Sequence, residues 1–359
     1  MKRLRIGFLS TANIGRHNWK AIHSSGNGVV SAVASRDVAR SRRFIAENQK
    51  AAPFAPPPAP LGSYEALLAS ADVDAVYIPL PTGLRRKWVL RAARAGKHVI
   101  CEKPCAVNAA ELQEMISACR RHRVQFMDGV MFMHNPRLAR IRQVLDDGKS
   151  IGPVRNILSG FSFLGTEAFM RDNIRLDGRL EPTGCLGDLG WYCIRFMLWA
   201  MNWRLPREVS GRILTLSRPR AGRKPAPTEF AADLLFDGNV SMSFYCSFLV
   251  AYRQWVDVGG RNGCLHVPDF VHPFDSYQPA FEVNHKVIRA TETGPKCPAG
   301  ADPTKQGHRT AQDTRLFRNF ANQVSSGKLN GDWPMWALKT QQVLDACYAS
   351  ARKNRPVKL

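Results

Sequence analysis

The first third of the chain alternates short apolar runs with amphipathic helical stretches, and this alternation limits the fold more than any other feature. Residues 84–95, for example, repeat apolar side chains at helical spacing and stop before Gly96, a favourable residue for ending a helix. Such alternation predicts β-α-β units and a parallel sheet, an α/β fold. The predicted strands are residues 4–9, 29–34, 73–80, 99–101 and 124–127.

Beyond about residue 135 the apolar period changes to two, the period of a strand with one buried face. Residues 240–247 alternate apolar and hydroxyl-bearing side chains, and residues 230–236 precede them across an Asp-Gly-Asn turn, which predicts a hairpin. This part is predicted to be an α+β domain with a large open, mainly antiparallel or mixed sheet. Further strands are expected at 209–216, 254–259 and 263–267, helices at 310–325 and 335–351, and loops at 53–60 and 286–306.

The charge and the hydropathy limit the class of partner. A formal net charge of +22, from 51 Lys and Arg against 29 Asp and Glu, would suit a nucleic-acid-binding protein. However, the basic residues are scattered, with short clusters at 85–87, 120–121 and 218–224, and no zinc-finger or basic-zipper pattern accompanies them. No apolar run approaches the roughly 18 residues of a membrane span. We expect a soluble protein with no specific nucleic-acid partner and no membrane partner.

The cysteines indicate a reducing compartment. The chain has 9 Cys, an odd number, without a Cys-x-x-Cys pair or Cys/His spacing of the zinc type. The basic start is followed by only four apolar residues, too few for an export signal. These observations predict free thiols, no metal site and a cytoplasmic location.

The first predicted strand runs into a turn of small residues and then a helix, where dinucleotide-binding folds carry Gly-x-Gly-x-x-Gly. Only the third glycine, Gly15, is present, but the small residues would still let a pyrophosphate approach the backbone, facing the N–H groups of the next helix. By itself this pattern also fits an ordinary strand–turn–helix. The predicted cofactor-binding residues are Ser10, Thr11, Ala12, Asn13 and Ile14.

The second predicted strand ends at Ser35, Arg36 and Asp37, where such folds contact the adenosine ribose. An acidic residue directly at the strand end would accept the 2'-hydroxyl of NAD, whereas Ser followed by Arg suits the 2'-phosphate of NADP. We predict NADP, bound by Ser35 and Arg36. NAD, with its hydroxyl on Asp37, is the alternative.

Two segments carry a more specific signal. Residues 96–101 form a strand pattern that runs into Glu102, Lys103 and Pro104, and residues 77–82 read Tyr-Ile-Pro-Leu-Pro-Thr. Together they resemble the Glu-Lys-Pro region of the glucose-fructose oxidoreductase and inositol dehydrogenase (Gfo/Idh/MocA) family, and the resemblance extends over nearly the whole chain. It implies a doubly wound Rossmann domain for the dinucleotide over residues 1–130, and a domain for substrate binding and oligomerisation over 131–359.

In the resembling family, the lysine equivalent to Lys103 points into the active site beside the nicotinamide, and the following proline is commonly cis. The carboxyl ends of parallel strands are also where open sheets bind ligands. A structural alternative for a Glu-Lys pair is a surface ion pair. The cofactor-binding residues expected in these segments are Pro79, Leu80, Pro81, Glu102 and Lys103.

Residues 184–192 resemble a second family signature, a glycine-rich helix start with Asp and, four residues later, His or Tyr. The spacing of Asp188 and Tyr192 places both on one helix face, within reach of one ligand. The tyrosine form resembles the glucose-fructose oxidoreductase and dihydrodiol dehydrogenase branch. We interpret Tyr192 as the acid/base, Lys103 as the cation that lowers its pKa and holds the substrate oxygen, and Asp188 as an orienting acceptor. The alternative makes Lys103 the proton-transfer group.

The chain departs from the family pattern at two places. Arg85 stands about where the family often has His, and His134 follows Met131 and Met133 where the family commonly has Arg or Tyr. Arg85 and His134 are therefore candidate substrate residues. Surface or packing roles are equally open for both.

These features predict an NAD(P)-dependent dehydrogenase or reductase that acts on a CH–OH group of a sugar, polyol or diol, and assembles as a homodimer or homotetramer, as is usual in the resembling family. One alternative is an NAD-dependent glycosidase of the same fold, which would show no net redox turnover. Another is a regulator that binds NADP without turnover; tight nucleic-acid binding that persists at about 0.2 M salt would support it.

Overall fold

The protein is described here by a computed structural model, which covers residues 3–219, 221–290 and 296–359. The chain divides into two compact units. The first unit comprises Met1–Ala106, Ala110–Asn135 and Lys305–Ala337, and the second comprises Val107–Ala109, Pro136–Thr304 and Leu338–Leu359. In the described ranges, no helix has both the length and the apolar character needed to span a bilayer.

The first unit contains a six-stranded parallel sheet in the order β3-β2-β1-β4-β5-β6. The strand order reverses between β1 and β4, which is the arrangement of a doubly wound fold and confirms the predicted fold class. The elements up to residue 128 are β1 (Leu4–Leu9), α1 (Ile14–Ser25), β2 (Gly28–Ala34), α2 (Val38–Gln49), β3 (Ala59–Leu61), α3 (Tyr64–Ala69), β4 (Ala75–Ile78), α4 (Thr82–Arg94), β5 (His98–Cys101), α5 (Ala109–Arg121) and β6 (Phe126–Asp128).

The second unit contains a nine-stranded mixed sheet in the order β14-β13-β12-β11-β7-β10-β9-β8-β15. Strands β7 and β10 pair in parallel, and the other named pairings are antiparallel, as predicted. The remaining elements are α6 (Arg137–Asp146), β7 (Val154–Ser162), α7 (Glu167–Asp172), α8 (Trp191–Ala200), β8 (Glu208–Leu216), β9 (Pro227–Phe236), β10 (Val240–Ser247), β11 (Arg253–Gly260), β12 (Cys264–Val267), β13 (Ala280–Val283), β14 (Lys286–Arg289), α9 (Gln312–Ser325), α10 (Asp332–Lys353) and β15 (Val357–Lys358).

The core of the first unit is rich in aromatic side chains that join β1, α1 and α9. Phe8 of β1 lies 6.3 Å from Trp19 and 5.1 Å from Tyr77, measured between ring centroids. From α9, Phe317 and Phe320 are buried in the same cluster. A helix from the last sixth of the chain thus completes the core beneath the predicted cofactor-binding turn.

The predicted hairpin of β9 and β10 is confirmed, with Val240 opposite Phe236 across the turn. Val240, Met242 and Phe244 are buried, whereas Ser241 and Ser243 on the other face are more accessible. The alternation therefore separates a packed face from an accessible face, as its period predicts.

Two expected loops contain strands. The proline-rich stretch 53–60 leads into β3, an edge strand in which Pro60 lies opposite Val33. An edge strand can contain proline because one of its sides needs no N–H donor for a neighbouring strand. The stretch 286–306 begins with β14, which pairs with β13. Residues 1–2 of the basic start, residue 220 of the basic cluster and residues 291–295 of this stretch lie outside the described residues.

Candidate functional site

The turn between β1 and α1 presents backbone N–H groups at the carboxyl edge of the parallel sheet. Ser10 adopts φ 141°, a region that favours glycine, and its Oγ accepts a hydrogen bond from the N–H of Ala12 at 3.2 Å. Asn13 and Ile14 are exposed, and the first turn of α1 contains neither an acidic residue nor a side-chain cap within the described chain. This helix start therefore fits an anionic group such as a pyrophosphate.

Gly15 allows the helix to approach the core closely. A Cβ at this position would lie 3.2 Å from Cζ of Phe44 and 3.5 Å from the ring of Phe8. The only glycine retained from the dinucleotide pattern is thus the one that packs α1 against the sheet.

The end of β2 places Ser35, Arg36 and Asp37 beside the start of α2. The Asp37 carboxylate caps α2 by accepting a hydrogen bond from the N–H of Ala39 at 2.9 Å. Arg36 is exposed and influences Tyr64, whose pKa is raised by burial and lowered in part by this guanidinium. Asp37 therefore caps the helix through one oxygen, and both its side chain and that of Arg36 are exposed at the position predicted for the adenosine ribose.

Pro79, Leu80 and Pro81 connect β4 to α4, and Pro81 is the N-cap residue of that helix. Pro79 and Leu80 are buried, and Pro81 is half-buried. The backbone of this connection lies at the same edge of the sheet as the β1–α1 turn, since β4 is the neighbour of β1. The predicted cofactor-binding segments of the first unit are thus brought together by the sheet order.

Arg85 is buried on α4, with 5% of its surface exposed, and donates to backbone carbonyl oxygens. Its Nε donates to Leu80 O at 2.7 Å, and its Nη1 donates to Glu102 O at 2.8 Å and also to Pro104 O. These contacts tie the end of β4 to the backbone on both sides of Lys103. The role of Arg85 as a substrate residue stays a prediction; its observed contacts are those of a residue that positions the Glu-Lys-Pro turn.

We expect Arg85→Ala to destabilise the protein and to reduce turnover, because it leaves several buried carbonyl oxygens without their donor. The expected loss is about 2–3 kcal/mol in the free energy of unfolding, measured by denaturant titration. Arg86→Ala is the matched control, since Arg86 is 46% exposed and pairs with Glu114 at 2.6 Å, a surface contact worth about 0–1 kcal/mol. Equal losses in the two variants would contradict the assigned role.

Glu102 is half-buried and ends a hydrogen-bond chain that starts in the core. Asn18 Nδ2 donates to the Tyr77 hydroxyl at 2.6 Å, and that hydroxyl donates to Glu102 Oε1 at 2.6 Å. Burial, with the Glu102 carboxylate adding to it, raises the pKa of Tyr77 well above its ordinary range. Tyr77 therefore remains a hydroxyl donor that fixes Glu102. The next residue, Lys103, is half-buried, and its peptide bond to Pro104 is cis, as the family resemblance implied.

His134 ends the short helical turn Met131–His134. Its Nδ1 lies 3.0 Å from Nδ2 of Asn319 on α9, and its ring is 6.1 Å from that of Trp333. These contacts show packing within the first unit. The predicted role of His134 toward a substrate is not tested by them and stays a prediction.

In the second unit, Asp188 and Tyr192 lie on one continuous helical segment. A π-helical turn over Leu186–Gly190 carries Asp188, and α8 follows directly with Tyr192. Both side chains are largely buried, and the Tyr192 ring packs 5.6 Å from that of Phe161 on β7. Gly184, at φ 47°, permits this start, because a Cβ there would lie 2.1 Å from Pro227 O.

One residue near this pair was not predicted from the sequence. Arg175 Nε lies 2.7 Å from Asp188 Oδ2, and the Arg175 side chain is 40% exposed. The pKa of Arg175 is raised mainly by the negative charge of Asp188, with smaller contributions from Glu181 and Tyr192. The Arg175 guanidinium thus contacts Asp188 directly, and Coulombic interactions with Glu181 and Tyr192 also raise its pKa.

Within the described part of the chain, the cysteines and potential metal ligands form no further candidate centre. All nine cysteines of the chain lie in the described ranges and are unpaired thiols. Among the described residues, no three His, Cys, Asp or Glu side chains are grouped so as to hold a metal ion.

Comparison with known proteins identifies the class. The family described as "Oxidoreductase family, NAD-binding Rossmann fold" matches residues 4–130, and the "GFO/IDH/MocA C-terminal domain" matches residues 138–266. Together these matches cover more than half of the chain. The protein therefore belongs to the Gfo/Idh/MocA oxidoreductase family, which confirms the resemblance and the predicted class, a nicotinamide-dependent oxidoreductase.

The relatives include reductases and dehydrogenases. The chain is 28% identical over 360 residues to dTDP-3,4-didehydro-2,6-dideoxy-alpha-D-glucose 3-reductase of Actinomadura kijaniata, covering 97% of this chain and 96% of that protein. It is 31% identical over 242 residues to trans-1,2-dihydrobenzene-1,2-diol dehydrogenase of Bos taurus, covering 67% and 66%. A 3-ketoreductase of Actinomadura kijaniata, solved with NADP and TDP-benzene, has a TM-score of 0.80 at 26% identity, covering 97% and 98%. This relative supports NADP as the cofactor.

Proposed function

We propose that this protein transfers hydride between NADP and a secondary CH–OH group of a sugar, polyol or diol. The main support for this proposal is that one chain contains both features: a helix start at residues 10–15 that suits a nucleotide pyrophosphate, and the Asp188–Tyr192 segment of an oxidoreductase family. Relatives that act on dTDP-sugars, D-xylose and dihydrobenzenediols support the substrate class.

The residues of the first unit fit NADP. We propose that the turn formed by Ser10, Thr11, Ala12, Asn13 and Ile14 binds the pyrophosphate at the start of α1, and that Ser35 and Arg36 bind the 2'-phosphate. Pro79, Leu80, Pro81 and Glu102 would shape the position of the nicotinamide. When bound, the oxidised cofactor would accept the hydride and the reduced cofactor would donate it; the chain would supply binding, orientation and proton transfer.

In the direction of oxidation, the carbinol carbon loses hydride and the hydroxyl oxygen loses its proton, so that one C=O bond forms. We propose that Tyr192 receives this proton, that Lys103 stabilises the negative charge on the substrate oxygen, and that Asp188 orients a neighbouring hydroxyl. Reduction reverses each step, with the Tyr192 hydroxyl returning the proton. Arg85 and His134 are proposed as residues that shape the region for the substrate.

A substrate screen tests the proposal. The purified full chain is incubated with sugars, polyols, trans-diols and dTDP-sugars, each with NADP and with NAD, while absorbance at the NADPH band and product formation by NMR are recorded. Stoichiometric formation of a carbonyl product and NADPH is expected. Cleavage of a glycoside without net NADPH, or NADP binding without turnover of any substrate, would contradict it.

We also propose that the chain forms a homodimer or homotetramer through the accessible face of the nine-stranded sheet. Leu158 of β7 is 39% exposed and Leu235 of β9 is 37% exposed, and the indole of Trp255 lies across Gly160 on this face. We expect light scattering to give two or four times the chain mass of 40.1 kDa, and Leu158→Asp to lower that multiple. A monomeric wild-type protein would contradict the assembly.

We propose a cytoplasmic location, which the nine unpaired cysteines support, since disulfides form and persist in oxidising compartments. Fractionation of cells that express the untagged chain tests this location, and recovery from the extracytoplasmic fraction would contradict it.

A further inference from the structure

Arg175 occupies a fixed position in the second unit that the proposed mechanism has not used. It lies in the helical turn Ile174–Leu176, where the Asn173 side chain accepts a hydrogen bond from the Arg175 N–H at 3.0 Å. The adjacent Leu176 O accepts a hydrogen bond from Ser217 Oγ at 3.0 Å. The backbone on both sides of Arg175 is therefore held, which favours one direction for its side chain.

The Arg175 guanidinium faces a group of acidic and phenolic side chains. Nε contacts Asp188 Oδ2 at 2.7 Å, and the buried Glu181 and Tyr192 also interact with the cation. The Cys246 thiol of β10 lies near Asp188, and burial raises its pKa well above the ordinary range, so that it stays neutral. The charged groups identified near Tyr192 in this unit include Arg175, Asp188 and Glu181. In addition, the phenol of Tyr252 and the ring of His272 pack against Phe161, the ring partner of Tyr192.

The signs of these charges decide how the phenol ionises. A carboxylate near Tyr192 opposes formation of the tyrosinate, and the guanidinium favours it. With Arg175 present, the charge of Asp188 is offset by a direct ion pair. Without Arg175, this ion pair would no longer offset the negative charge of Asp188 and the favourable effect of the guanidinium would be lost, so Tyr192 would hold its proton more strongly.

We propose that Arg175 is a positioning residue of the reaction, one that holds Asp188 in place and makes Tyr192 easier to deprotonate. This inference rests on the proposed function, in which Tyr192 transfers the proton. Arg175 would favour the deprotonated form of Tyr192 from within the second unit, in addition to the effect proposed for Lys103.

The test is the pH dependence of kcat/KM for alcohol oxidation by the full chain with NADP. The rising limb of this profile reports the deprotonated base. Arg175→Gln is expected to move the midpoint of that limb to higher pH by about one unit. At a fixed pH below the midpoint, this shift corresponds to about a tenfold loss in kcat/KM. Asp188→Asn is expected to move the midpoint to lower pH. Arg175→Lys, which keeps the positive charge, should restore at least half of the shift.

Arg179→Gln is the matched control. Arg179 lies four residues further along, is 58% exposed in its side chain and pairs with Asp177 at 2.9 Å, so its removal should leave the midpoint unchanged. If Arg175→Gln does not fold, Arg175→Met, which keeps the apolar stem, takes its place. Direct titration of Tyr192 by NMR of ¹³C-labelled tyrosine, assigned with Tyr192→Phe, reports the same shift without any turnover.

The outcomes separate the two proposals. An unchanged midpoint and an unchanged tyrosine titration in the Arg175 variants, together with an inactive Tyr192→Phe, would overturn the role of Arg175 alone. Full activity of Tyr192→Phe would overturn the proposed proton transfer instead. A shift equal to that of Arg175→Gln in the Arg179 control would also overturn the inference, because it would reflect general loss of charge.

Discussion

Replacing Tyr192 by Phe is expected to lower kcat by about a hundredfold to ten-thousandfold, the range typical for loss of a general acid/base. The substitution removes only the hydroxyl, and the ring contact with Phe161 at 5.6 Å is retained. The affinity for NADP should stay nearly unchanged, because the residues proposed to bind NADP lie in the other unit. Steady-state kinetics and a fluorescence titration with NADPH measure the two quantities.

Lys103→Ala distinguishes between the two candidate proton-transfer groups. If Tyr192 is the acid/base, Lys103→Ala should lower kcat and shift the pH profile of kcat/KM. The titration of Tyr192 should still be visible in that profile. Near-normal turnover in Tyr192→Phe together with an inactive Lys103→Ala would assign the proton to the lysine. Thermal unfolding of both variants is the control for loss of structure.

The sequence was most informative where a short motif and a sheet edge coincide. The alternation of apolar runs and helices predicted the parallel sheet, and the ends of β1, β2 and β4 then placed the predicted cofactor residues at one edge. Ser10 shows the limit of motif comparison. Its backbone φ is 141°, a value that favours glycine, so the backbone adopts this conformation although the first glycine of the motif is missing.

The central strand of the second sheet was missed for a physical reason. β7 places Ile157 and Leu158 next to each other, with Leu158 on the accessible face, and it contains Gly160, so its period-two pattern is weak. Likewise, periodicity indicated a helix near 310–325 but could not show that its apolar face completes the core of the first unit.

Arg85 and Arg175 show why side-chain roles were harder to predict than strands. Arg85 was a substrate candidate by position, and only the fold shows that Leu80, Glu102 and Pro104 converge on it with their carbonyl oxygens. Arg175 belongs to no periodic stretch and is 13 residues before Asp188 in the chain. Contacts of this kind depend on tertiary structure, which no local pattern encodes.

Replacing Arg36 by Ala is expected to weaken NADP binding by about tenfold to a hundredfold and to leave NAD binding almost unchanged. Arg36 is exposed at the end of β2, and a charge-assisted hydrogen bond to a phosphate contributes roughly 1.5–3 kcal/mol. NAD lacks the 2'-phosphate, so it has no group for Arg36 to pair with; the neighbouring Asp37 accepts the N–H of Ala39 through Oδ1 at 2.9 Å. Isothermal titration with both cofactors measures the ratio of the two affinities.

A loss of positive charge alone would weaken both cofactors, because each carries a pyrophosphate and the chain has a formal charge of +22. Arg43→Ala controls for this effect, since Arg43 is an exposed arginine of α2 and carries the same charge. A direct contact requires the ratio of NADP to NAD affinity to fall in Arg36→Ala and to stay constant in Arg43→Ala. Equal losses for the two cofactors in Arg36→Ala would show that the residue acts through the general field, and the assignment of the 2'-phosphate contact would be wrong.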